Sequence, residues 1–166
     1  MSKAVWTAAA ALTVLAAASP AAAQTTATAT VNVTVNVSAR ATLDFHGTNA
    51  VTFADADPDT ISSISAPAMT IDVKGRTSGG SNVTLTVLSN EDLSSGSDTI
   101  GIGNLTWTAT GTGFTAGTMD KTTAQAVGTW AGSGTHNGSM TLKLANSWAY
   151  SSGAYTATLT YTLTAP

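Results

Sequence analysis

The 166-residue sequence contains no cysteine. That absence excludes disulfide cross-links, thiol nucleophiles and thiolate metal centres. Charge is scarce as well. Asp, Glu, Lys and Arg make up 9% of the chain, against about 25% in an average soluble protein. The few charges lean acidic, six basic against nine acidic residues, for a formal net charge of −3. Without a basic patch the chain has nothing to grip a phosphate backbone or an anionic bilayer, so neither nucleic acid nor a lipid surface is expected as a partner. Long apolar runs are also missing. The stretch from Ala8 to Ala18 falls short of the about 20 residues that a membrane span needs.

That short run has the form of a secretory leader. Lys3 supplies a basic start, Leu12, Val14 and Leu15 the apolar centre, and Ser19-Pro20 a break. Ala21-Ala22-Ala23 then offers a small-residue cleavage site before Gln24. Residues 1–23 are therefore expected to be a signal peptide and the remainder an exported protein, secreted or on the cell surface, with no membrane span once the leader is gone. An exported domain without disulfides must be held by core packing and strand pairing.

What is present in quantity is alternation. From Ala27 to Phe45 every odd position is apolar, with Val31, Val33, Val35, Val37, Leu43 and Phe45 the large ones. Every even position is polar. A period of two, with no 3.6-residue component, means an extended chain with one dry and one wet face. Nineteen residues exceed an ordinary strand. The run therefore predicts two strands joined by a bend, or one strand that reaches beyond its own domain.

The same pattern recurs in shorter pieces. Strands are predicted over Val51–Phe53, Met69–Val73, Val83–Val87, Leu105–Ala109, Met140–Leu144 and Tyr155–Leu163. Turn-forming sequences separate them. Ser78-Gly79-Gly80-Ser81 suits a hairpin, and Gly132 through Gly138 reads as a flexible connection. A turn is the most helical feature expected, near Thr122–Val127. Seven or eight short strands predict an all-β, Ig-like antiparallel sandwich over residues 39–166, preceded by an extended N-terminal strand over 24–38.

No arrangement of catalytic groups stands out, and an enzyme is not expected. His46 and His136 lie outside any nucleophile motif, and both read as loop-exposed. Glu91 and Asp92 read as a solvated pair in a polar loop. Asp55, Asp57 and Asp59 alternate on a tight segment around Pro58. Thr60 and Ala66 stand where an EF-hand needs Gly and Glu, so that motif is rejected. An acidic turn shaped by Pro58 is the favoured reading of these three carboxylates, with a looser calcium site the alternative. No other cofactor is implied. Trp107 falls on the dry face of its strand and reads as core. Trp148 with Tyr150 is a candidate glycan contact, or else further core packing.

The ending Gly153-Ala154-Tyr155-Thr156-Ala157-Thr158-Leu159-Thr160-Tyr161-Thr162-Leu163 resembles the closing strand of bacterial pilins and spore-coat-U-type fimbrial subunits. It is also similar to the end of WxL cell-wall domains, with Tyr161-Thr162-Leu163 in place of their Trp-x-Leu. The pilin resemblance implies an incomplete Ig-like sandwich whose open groove takes an alternating N-terminal strand from a neighbouring copy. On this chain that donor, or assembly, strand would use Val31, Val33, Val35 and Val37. The resemblance thus implies a structural subunit of a pilus-like surface filament, with copies of itself and an export or assembly machinery as partners. The same strand could equally pair within its own subunit. The alternative role is a secreted carbohydrate- or cell-wall-binding module.

Overall fold

In the computed structural model, residues 25–47 and 50–166 are described; the expected signal peptide over 1–23 lies outside them. The chain divides into two units, Met1–Val35 and Asn36–Pro166. Within the first unit, residues 25–35 form no strand and are exposed throughout.

The second unit is an all-β antiparallel sandwich. Its strands are β1 (Arg40–His46), β2 (Ser63–Ser65), β3 (Met69–Arg76), β4 (Asn82–Ser89), β5 (Leu93–Ser95), β6 (Asp98–Ile100), β7 (Leu105–Thr110), β8 (Gly117–Thr118), β9 (Gln125–Ala131), β10 (Gly134–Ala145) and β11 (Leu159–Thr164). The larger sheet runs β1-β3-β10-β7-β8, with β2 paired to β10; the smaller runs β11-β4-β9. A β5–β6 hairpin stands apart. The helical content of the described residues is one 3₁₀ turn, Ile102–Asn104.

Alternation dictates which residues meet between the sheets. Ile71 and Val73 of β3, Trp107 of β7, and Met140 and Leu142 of β10 point inward from one side. Val83, Leu85 and Val87 of β4 and Val127 of β9 are fully buried on the other. Each such side chain removed from water contributes about 1.5–3 kcal/mol before the entropy of ordering is set against it.

Several local expectations are corrected. Ser78–Ser81 is a turn but not a hairpin: β3 joins the larger sheet and β4 the smaller. Gly75 packs directly on Val83 across the core, so the two strands face each other instead of pairing. Gly134–Gly138 is strand, not connection. A side chain at Gly138 would collide with the Phe114 ring, so this glycine makes room for an aromatic instead of marking a turn. Val51–Phe53 forms no strand, although Val51 and Phe53 still pack against the core as their spacing implies. The long alternating run enters a sheet only from Arg40 onward, and the closing strand only from Leu159. The expected turn near Thr122–Val127 gives way to β9 at Gln125.

Candidate functional site: an open groove between the two sheets

The two lateral edges of the sandwich are built differently. At one edge a single segment stitches the sheets together. Gly117–Thr118 pairs with β7 of the larger sheet. A few residues earlier, Thr115 N–H donates to the Val127 carbonyl (2.8 Å), and Thr129 N–H of β9 donates to the Gly113 carbonyl (3.0 Å). Trp107 and Trp130 lie beneath. Their indole N–H groups donate to the Thr115 and Thr112 carbonyls at 2.8 and 2.7 Å, so both large side chains are buried without an orphaned donor. Phe114 meets Trp130 edge-on at 4.8 Å. Gly113 sits at φ +83°, where a side chain would be strained and would strike the Trp130 ring.

At the opposite edge no backbone hydrogen bond links β1 to β11 among the described residues. β1 pairs only with β3, and β11 only with β4, so each presents an unpaired side among the described residues. Between them lies an open groove of about 630 Å³. Leu43 and Phe45 of β1 form one wall, and Leu159 and Tyr161 of β11 with Ala157 before it form the other. Met69, Leu105 and Leu142 contribute the floor, while Val51 and Phe53 lie along the mouth. The wall side chains belong by pattern to the core, yet they are only half-buried. Phe45 and Tyr161 touch across the groove, ring centres 4.8 Å apart. Burial pushes the Tyr161 phenol well above its ordinary pKa, and its O–H donates to the Met140 sulfur at 3.4 Å. The β5–β6 hairpin closes one end through reciprocal Ser94–Thr156 backbone bonds of 3.0 Å.

The proposed assembly residues lie on exposed chain. Val31, Val33, Val35 and Val37 are 82%, 82%, 75% and 66% exposed. Apolar side chains in strict alternation are thus held in water, outside any strand among the described residues.

The other candidates separate from one another. Trp148 is 71% exposed, whereas Tyr150 is half-buried against the core. Asp57 Oδ1 accepts the Asp59 N–H (3.0 Å), and Asp59 Oδ1 accepts the Trp148 indole N–H (2.9 Å). These carboxylates shape a loop, and among the described residues no group of three or more His, Asp or Glu stands together as a metal site. His136, expected in an exposed loop, instead stacks on Trp130 at 4.9 Å inside the sandwich, with a buried Nε2 that has no partner. His46 is exposed, as expected, and ends β1. Its Nε2 lies 2.7 Å from Asp72 Oδ2. The hydrogen bond to Asp72, then the Asp72 charge, then that of Asp44, raise the imidazole pKa, while desolvation and Lys74 oppose them. Asp92, expected to be solvated, accepts the Ile102 N–H (2.8 Å) and pairs with Lys121, contacts that lower its pKa.

A groove was implied by the pilin resemblance alone; its place could not be read from the sequence because its walls are two distant strands. The local signal was the excess length of the alternating run, which implied two strands with a bend or one strand reaching beyond its own domain. No protein-family model matches the chain, and no curated protein matches its sequence.

Proposed function

We propose that this protein is an exported structural subunit of a bacterial surface filament. In this reading each copy receives in its β1–β11 groove the alternating arm of another copy. The supporting observation is the pairing of a deficit with a surplus. An apolar groove lies between two strand edges that lack partners among the described residues, and the same chain carries an exposed arm, outside any strand, with valine at every second position.

The physical fit is specific. A strand laid in the groove would have β1 on one side and β11 on the other to satisfy its backbone, once the Phe45–Tyr161 contact that spans the groove parts. Its period of two sends alternate side chains down onto the floor and the rest out to water. Val31, Val33, Val35 and Val37 then leave solvent together, at about 1.5–3 kcal/mol each. Ordering the arm opposes this by about 1–2 kcal/mol per residue, so hydrogen bonds along both flanks are needed as well. Because arm and groove are different surfaces, the contact is head-to-tail and propagates into an open filament. The low charge suits a surface covered by neighbours, and the sequence features of the leader support assembly outside the cytoplasm by way of an export machinery.

Deleting residues 25–37 tests this reading. The truncated protein is expected to be exported and to accumulate as monomer. A synthetic peptide of residues 25–38 is expected to bind it and raise its melting temperature. Normal polymerisation of the truncated protein would refute strand exchange.

A further inference from the structure

A second site, remote in function from the groove, is formed where two loops are clipped together. Asn146 follows β10, and its side-chain amide donates to the carbonyls of Ala56 (2.9 Å) and Ile61 (3.0 Å), while its backbone N–H donates to the Ser62 carbonyl (2.9 Å). Asp57 folds the 57–61 turn by accepting the N–H groups of Thr60 and Ile61 at its carbonyl (3.1 and 2.8 Å). Trp148 then reaches back to Asp59, 89 residues away in sequence. The outcome is an indole that is tied down yet 71% exposed, alone among the aromatic side chains of the described residues.

An exposed tryptophan forfeits the large burial gain that normally places it in a core, as Trp107 and Trp130 show in the same molecule. Its anchorage also limits what it can recognise. The indole N–H is already used by Asp59, so the ring offers only its electron-rich face. Around it, Asp57 and Asp59 each keep one carboxylate oxygen without a partner among the described residues. The two loops, residues 54–62 and 146–152, contain no Lys, Arg or His. A ligand for this site must therefore present a flat array of polarised C–H bonds to the ring and hydroxyl donors to the carboxylates. An anionic ligand is disfavoured, since these two loops bring carboxylates and no cation of their own.

We propose that Trp148, held by Asp59, is a stacking platform for a neutral pyranose sugar of a surface glycan, with Asp57 and Asp59 accepting its hydroxyls. The site is independent of filament assembly.

The test displays the mature protein on neutral hexose oligosaccharides and on uronic-acid-containing counterparts, with Trp148→Ala, Trp148→Phe and Asp59→Ala alongside. Binding to at least one neutral glycan is expected, with the acidic counterparts rejected. Trp148→Ala should weaken that binding about tenfold or more, Trp148→Phe less, because a smaller ring still stacks. Asp59→Ala should fall between wild type and Trp148→Ala, since it frees the indole without removing it. Melting temperatures of the two Trp148 variants should match wild type, because the ring is exposed. The proposal is overturned if no neutral glycan binds, if binding survives Trp148→Ala, or if a quaternary ammonium compound binds in preference to every sugar.

Discussion

The two lateral edges of this sandwich solve the same problem in opposite ways. At the β8–β9 edge, residues 113–118 cross from one sheet to the other, hydrogen-bonding to both, and two tryptophans fill the space beneath. At the β1–β11 edge the corresponding side chains, Leu43, Phe45, Leu159 and Tyr161, are equally apolar but only half-buried, and among the described residues no backbone hydrogen bond links the two strands. An edge strand is ordinarily shortened, charged or covered. Here neither edge facing the groove carries such protection on its inner face, and the exposed arm of the same chain carries the matching pattern. The contrast teaches that the same sandwich covers large apolar side chains at one edge with a crossing segment and leaves those at the other edge half-exposed.

The largest expected effect separates arm from sandwich. Val33→Asp leaves the monomer within about 0.5 kcal/mol of wild type, because the position is exposed. It should nevertheless abolish filament growth, because the groove would have to bury an unpaired carboxylate at a cost of several kcal/mol. Urea unfolding and sedimentation, run on the same preparation, read both quantities. Unchanged filament growth would contradict the proposed seating.

Next come the two edges themselves. Trp107→Ala at the closed edge should cost about 3–5 kcal/mol in the monomer. Phe45→Ala at the open edge should cost about 1–2 kcal/mol, since half its ring is already in water. In monomer saturated with the 25–38 peptide, the Phe45→Ala penalty should grow, while that of Trp107→Ala stays fixed. Equal penalties in both states would mean that nothing of consequence fills the groove.

The smallest effect concerns how β1 is held. Asp44 and Asp72 lie directly opposite on β1 and β3, and His46 bridges to Asp72. The folded imidazole has a pKa above its ordinary 6.5. Its contribution to stability is therefore complete below about pH 6.5 and is lost as pH rises through the folded-state value. His46→Gln should flatten the stability profile across that window, measured by urea midpoints between pH 5 and 8. A profile identical to wild type would show that the pair contributes nothing. The exposure of His46 keeps the effect slight in moderate salt.

The fold class was legible in the alternation, because side-chain polarity at every second residue is a local property. The inward faces of Met69–Val73, Val83–Val87, Leu105–Ala109 and Met140–Leu144 all agree with the pattern. Glycine misled in two ways. In the Gly132–Gly138 stretch it suggested a loop, where Gly138 in fact clears space for Phe114 within β10. In Ser78–Ser81 it correctly marked a turn, but a turn does not say whether the strands it joins will share a sheet. Strand β9 was missed because Gly128 and a register shift opposite Leu85/Thr86 interrupt its alternation. Of the candidate sites, the valines of the arm could be read off the sequence. The place of the groove could not, and neither could the clip that joins Asp59 to Trp148 across 89 residues.

By itself the sequence determined the extended backbone, the dry face of most strands, the export leader expected at residues 1–23 and the unusual alternating arm. Each follows from interactions between residues a few positions apart. Only the tertiary structure decided which strands became partners, which edge was closed, that Trp107 is buried while Trp148 stands in water, and that a groove was left between β1 and β11. Those outcomes depend on backbone hydrogen bonds and packing between segments distant along the chain, for which period-two polarity carries no address.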